Sequence, residues 1–141
     1  MTNLNESSLI TDIRQVLLDS DYHKDWDEYD YQALIYSAFH YEHALLVLSS
    51  EGDPIGLCTW AFLDKDRAEQ YASTGVVYHT DFEGEDGEGW VIDFAAPYGH
   101  CRQVVRILRN YFKDRYGPRV AGKIYRPWKN HLGTMYTAWG K

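Results

Sequence analysis

The sequence holds few thiols. Among 141 residues only Cys58 and Cys101 carry one, too few for a disulfide framework, so a reducing cytoplasm is the expected compartment. No run of about 18 apolar residues occurs, which excludes a membrane-spanning helix. Met1–Ser8 is polar and lacks basic residues, so no secretory signal is expected. A nucleophile elbow, a P-loop and a dinucleotide fingerprint are all missing. His40 and His43 are three apart, but the other histidines (His23, His79, His100 and His131) and the two distant cysteines show no metal-ligand spacing. Neither a metal nor a permanently bound cofactor is expected.

Basic residues are scarce over most of the chain. Residues 1–100 carry four Lys/Arg against 20 Asp/Glu, a net −16, whereas residues 101–141 carry ten Lys/Arg and one acid, Asp114, a net +9. This asymmetry fits either two surfaces for different partners or two solvated halves that pair with each other. Tyrosine (12) and tryptophan (5) are abundant; such rings fill cores and also line clefts for apolar ligands. The length fits one domain, residues 1–141, with a real core.

Ser7 or Ser8 is a candidate cap for a first helix in which Leu9, Ile13, Val16 and Leu17 recur at helical spacing. Asp21–Asp30 reads as a loop, and Tyr31, Leu34, Ile35, Ala38 and Phe39 as the apolar face of a second helix. Ala44–Leu48 and Ile55–Ala61 are predicted strands of a hairpin turning at Gly52 and Pro54. A short helix over Asp64–Tyr71, a strand at Val76–His79 and a flexible acidic connection over Asp81–Gly89 follow. Trp90–Ala96 is a strongly apolar strand. Next comes the clearest helix, with Cys101, Val104, Val105, Leu108, Tyr111 and Phe112 on one face and a basic stripe, Arg102, Arg106, Arg109 and Lys113, on another. Gly117-Pro118 ends it, and Val120–Tyr125 reads as a last strand. The order predicts an α+β or mixed α/β fold, a mostly antiparallel mixed sheet flanked by helices.

Asp93 is the most informative residue. Every neighbour in Trp90–Ala96 is apolar, and an acid there is costly unless paired. It is either satisfied structurally by backbone or arginine, or it serves chemistry. His23, between the two N-terminal helices, is either a surface residue or a general base oriented by Asp93. Cys58 lies within an apolar strand and reads as a small core residue rather than a nucleophile.

Four segments, in order, resemble the toxin-activating lysine acyltransferases, the activating partners of RTX toxins. Ser20-Asp-Tyr-His-Lys-Asp-Trp26 is similar to the family's S-x-x-H-[RK]-x-W, and Pro54-Ile-Gly-Leu-Cys-Thr-Trp-Ala61 to its P-x-x-x-C-[ST]-W-A. Trp90-Val-Ile-Asp-Phe-Ala-Ala-Pro-Tyr-Gly99 is similar to W-x-I-D-x-x-A-P-[FY]-G, and His131-Leu-Gly133 to its H-[VIL]-G element. The resemblance implies a GNAT-like acyltransferase fold without a coenzyme A pyrophosphate loop, with Pro97-Tyr98-Gly99 in that place. It implies an acyl–acyl carrier protein donor, internal lysines of an RTX protoxin as acceptors, a cytoplasmic site of action and, in many members, a homodimer. His23 and Asp93 match the catalytic pair and Ser20 a supporting serine. An asparagine of the second helix is replaced here by Gln32 or Ala33, and the basic C-terminal extension of longer members does not follow the H-L-G element.

On this reading the basic stripe is a docking face for the acidic carrier protein, joined by Arg115, Arg119, Lys123 and Arg126. The alternatives are a GNAT-like N-acyltransferase with another donor or acceptor, a non-catalytic toxin-binding homologue, and a binding module whose basic segment contacts nucleic acid. The −16 of residues 1–100 argues against the last.

Overall fold

The computed structural model describes residues 3–117 and 122–124, with side chains from Ser8 to Gly117. The strands form one sheet in the order β1-β2-β3-β4. β1 (Ala44–Leu48), β2 (Pro54–Leu63) and β3 (Glu88–Ala95) are mutually antiparallel, and β4 (Gly122–Ile124) runs parallel to β3. A parallel neighbour requires a crossover, which the helix α4 (Cys101–Tyr116) supplies. The fold is α+β, and among the described residues no helix is long and apolar enough to cross a membrane.

β2 alternates between two apolar layers because it is covered on both faces. Cys58, Trp60 and Phe62 pack on α4 through Val104, Leu108 and Phe112. Leu57 faces Ile13, Val16 and Leu17 of α1 (Asn3–Leu18), with Tyr31 and Ile35 of the following helix. Ala61 and Leu63 face Ala68 and Tyr71 of α3 (Lys65–Thr74). α4 comes close to the sheet at Gly56: a Cβ there would lie 2.6 Å from Val104 Cγ2.

α1 begins at Asn3, so Ser7 and Ser8 lie inside it rather than capping it. The second helix, α2, is composite: an α-turn Glu28–Asp30, a π segment Tyr31–Tyr36 and an α-turn Ser37–His40. Asp27 caps it reciprocally with Asp30, and the Ser37 hydroxyl donates to the Gln32 carbonyl at 3.1 Å inside the π segment. α3 is longer than expected, capped by Asp64 and closed by Gly75 at φ 71°.

Val76–His79 is not a strand. The Tyr78 N–H donates to Asp81 Oδ2 at 2.8 Å, and a 3-10 turn follows at His79–Phe82. The acidic connection is anchored rather than loose. Asp81 receives a bidentate contact from Arg67 at 2.6 and 2.9 Å. Glu85 receives Arg115 at 3.0 Å and pairs with the buried His43 at 3.0 Å. Of the predicted last strand, residues 122–124 are seen; Arg119, Arg126 and the His131-Leu-Gly133 element lie outside the described residues.

Candidate active site

One helical turn follows α1. The Ser20 carbonyl accepts from the backbone N–H groups of His23 (3.0 Å) and Lys24 (2.8 Å), which sets the side chains of residues 20 and 23 on one side. Ser20 Oγ lies 2.7 Å from His23 Nδ1, and His23 Nε2 lies 2.9 Å from Asp93 Oδ1. An ionised carboxylate only accepts, so Nε2 carries the hydrogen and Nδ1 accepts from the Ser20 hydroxyl. Edge-on contacts with Tyr22 (4.9 Å) and Trp26 (4.8 Å) fix the imidazole plane. His23 is 1% exposed and Asp93 6%. Of the two alternatives for His23, the surface residue is excluded by its burial, and the acid in the apolar strand is its partner.

Asp93 reaches His23 because β3 is bulged. Thr59 pairs with Asp93 and Trp60 with Val91, leaving Ile92 as an extra residue. Val91 packs in the α4 layer and Trp90 in the opposite layer. Uninterrupted alternation would send Asp93 toward α4; the inserted residue reverses the phase and turns it toward α1. The Asp93 N–H donates to Thr59 Oγ1 at 3.1 Å, so the bulge leaves no orphaned donor there.

Beside Ser20 opens a cavity of about 590 Å³, walled by residues 19–22 and 94–97. β4 pairs only with Gly89–Val91, so among the described residues the outer edge of β3 beyond them carries no strand. At the rim the Tyr98 hydroxyl donates to Asp19 Oδ2 at 2.7 Å. Burial first, then the Asp19 carboxylate, push this phenol up to about 12, so it stays protonated and holds the rim. A second cavity, about 370 Å³ between α3 and the start of β3, contains none of the predicted site residues.

Cys58 is fully buried, and burial followed by the Asp93 charge pushes its thiol well above the usual range; it has no thiolate to offer. Gln32 is exposed and donates to Glu28 at 3.1 Å, so it adds no polar group to the site. Arg102, Arg106, Arg109 and Lys113 are exposed along α4, the layer across the sheet from His23. Arg115 does not join them: it is held by Glu85, Tyr111 and the Glu42 carbonyl. Cys101, expected on the apolar face, is exposed. Sequence reasoning missed the part played by Thr59, although the [ST] of the β2 motif marked its position, and missed the Asp19–Tyr98 tie, which has no local signal.

A His–Asp pair sealed from water, with a half-buried serine on the other ring nitrogen at a cavity mouth and an α+β frame around it, is an arrangement able to move a proton. The family follows from comparison: residues 2–131 match the model of the RTX toxin acyltransferase family, and the chain belongs to that family. It is 26% identical over 111 residues to the leukotoxin-activating lysine-acyltransferase LktC, serotype T3, of Mannheimia haemolytica, covering 78% of this chain and 65% of that protein. It is 23% identical over 137 residues to the RTX-II toxin-activating lysine-acyltransferase ApxIIC of Actinobacillus pleuropneumoniae, covering 97% of this chain and 84% of that protein. The chain therefore matches just under two-thirds of the length of the first relative and most of the second.

Proposed function

We propose that this protein is a protein-lysine acyltransferase that moves a fatty acyl group from acyl–acyl carrier protein to internal lysines of an RTX protoxin in the cytoplasm. The observation that carries the proposal is the buried His23–Asp93 pair at 2.9 Å beside the cavity, in a chain of this family.

A lysine with its ordinary pKa of about 10.4 is protonated and not nucleophilic at neutral pH. Acyl transfer to it needs a base, and a positioned base is worth about 10²–10⁴-fold. His23 Nδ1, the nitrogen on the Ser20 side, takes the proton. Asp93 fixes the tautomer and offsets the charge that the imidazole acquires. The cavity, within the usual size range for ligand sites, receives the thioester end of the acyl chain. Donor docking falls to the exposed cations at the start of α4, Arg102 and Arg106, a few residues from Pro97 on the cavity wall.

The test incubates the protein with acyl–acyl carrier proteins of several chain lengths and its toxin partner, and reads lysine mass shifts. Acyl-sized shifts on internal lysines, nearly abolished in His23→Ala with the fold intact, are expected. Full transfer by His23→Ala, or no transfer from any donor by folded wild-type protein, refutes the proposal.

A further inference from the structure

The second cavity, about 370 Å³ at the start of β3, lies apart from His23 and Asp93. Leu63, Ala68, Ala72 and Trp90 give it apolar walls, and Asp64, Glu69 and Glu88 bring carboxylates to it. Among the described residues that line it, Lys65 is the one cation. The space exists because Ala68 and Ala72, four apart on α3, put small side chains on one face of that helix. Gly87 presses the acidic connection against the end of β2. Its φ is 113°, and a Cβ there would lie 2.4 Å from the Leu63 carbonyl oxygen, so only glycine fits. Two of the carboxylates are held in place: Asp64 Oδ1 accepts from the Arg67 N–H at 2.8 Å, and Glu88 Oε1 accepts from Trp90 Nε1–H at 3.1 Å. An ionised carboxylate has capacity for several such bonds.

This end of the molecule carries negative charge that the chain does not offset. Residues 68–100 hold seven acids and no lysine or arginine. Asp81, Glu85 and Asp93 are matched by Arg67, Arg115 and His23, whereas Glu69, Glu83 and Asp86 form no ion pair among the described residues. Unmatched carboxylates beside an apolar cavity select an amphipathic cation, its methylene stem against the walls and its charged head at the rim. An acidic carrier protein is repelled here; a lysine-bearing acceptor is not. We propose that this cavity binds a lysine or arginine side chain of the acceptor protein, a second basic residue near the lysine that is acylated. This rests on the acyltransferase reading and deepens it by naming a determinant of acceptor choice.

The two cavities share one side of the sheet. Trp90 lines the second and packs in the layer opposite α4, and the bulge turns Asp93 to that same side. From Glu88 at one cavity to Ala95 at the other, β3 advances seven residues, about 23 Å at about 3.3 Å per residue. An extended acceptor segment covers that span with about seven residues, and with fewer when two long side chains reach inward from it. The recognised cation therefore lies within about seven residues of the acylated lysine. Charge then sorts the two substrates: the cations of α4 suit the acidic donor, and the acids of α3 and residues 83–88 suit the basic acceptor segment.

The full chain is assayed with its toxin partner as acceptor and acyl–acyl carrier protein as donor. The acylated lysines are mapped first, and initial rates are then measured against toxin concentration for wild type, Glu69→Arg and Ala72→Phe. The first variant reverses an exposed charge and the second fills the cavity. KM for toxin should rise about tenfold in each, with kcat and donor KM within about twofold of wild type, and the effect of Glu69→Arg should shrink toward about 1 M salt. Lysines and arginines of the toxin within about seven residues of an acylated lysine are also changed to glutamate, one at a time. One such change should raise KM with wild type and restore it with Glu69→Arg, a reciprocal swap that direct contact gives. An unchanged toxin KM in both variants overturns the proposal and leaves the acyltransferase reading standing, as does a charge swap that restores nothing. A KM rise accompanied by falls in kcat and in the urea midpoint in both variants overturns it too, because the cavity then serves the chain's own packing. No toxin acylation by folded wild-type protein refutes the acyltransferase reading, and this proposal with it.

Discussion

Replacing Asp93 with asparagine keeps the side-chain volume and removes one charge. In the folded protein that charge faces His23 across 2.9 Å with both side chains nearly sealed from water. With charge centres about 4 Å apart and an effective dielectric of about 20, the carboxylate favours the imidazolium by about 4 kcal/mol. At 1.36 kcal/mol per decade, this corresponds to about 10³-fold in any step that places a proton on His23. The amide also brings two buried donors where Asp93 only accepts, a cost of about 1–3 kcal/mol in stability. Asp93→Asn is therefore expected to lower both kcat and kcat/KM for lysine acylation by about 10³-fold. KM for the donor should change little, since the acid touches no substrate. The assay is single-turnover transfer read by mass spectrometry, with a denaturant titration confirming that the variant is folded. A folded variant that loses less than tenfold in rate would refute the claim that Asp93 acts through charge on His23.

Four other outcomes are expected. Thr59→Val strands the buried Asp93 N–H, which now donates at 3.1 Å; stability should fall by about 1–3 kcal/mol in urea unfolding, with a loss of acylation that Thr59→Ser restores. Gly56→Ala forces a methyl group to within 2.6 Å of Val104 Cγ2 and should cost about 1–3 kcal/mol in the same titration; an unchanged midpoint would show that α4 shifts freely. Contact with His43, then the charge of Arg115, hold the Glu85 carboxyl below its ordinary value near 4.5. The unfolded chain then binds more protons in that window. Its stabilisation is complete above about pH 4.5 and is lost as the pH falls through the lower folded value, so Glu85→Gln should flatten the acid limb of a stability–pH curve. Reversing Arg102 and Arg106 to glutamate should weaken use of acyl carrier protein most at low salt, with the difference shrinking toward 1 M; an unaltered donor KM at every ionic strength would move the docking face elsewhere.

The frame of this fold was legible where two apolar layers or one amphipathic stripe wrote it. β2, β3 and α4 were all expected close to their observed bounds, because a strand covered on both faces reads as a continuous apolar run and Val104, Leu108 and Phe112 mark the buried side of a helix. The identities of the Ser20, His23 and Asp93 positions came from motif resemblance; chemistry alone left each open. Three features stayed hidden for physical reasons. The β-branched pair Val76-Val77 resembles a strand, but the Asp81 side chain captures the Tyr78 N–H and Arg67 takes the Val76 carbonyl at 3.1 Å, so local side-chain bonding prevails over propensity. The His43–Glu85–Arg115 cluster joins residues 42 and 30 apart in sequence and carries no short-range signal. The bulge at Ile92 could not be read, because in a run apolar on both sides a one-residue change of phase alters no pattern.

That extra residue has a consequence for how relatives of this chain are compared. The carboxylate points toward the imidazole by count, not by its own identity: Ile92 contributes to the site by occupying a place, and many apolar side chains would serve there. A homologue with the same residues here but a strand paired without the bulge would align perfectly and still aim its acid into the opposite layer, toward the α4 side. In this strand the pairing register between Trp90 and Asp93 is as diagnostic of a working site as the two residues that mark its ends.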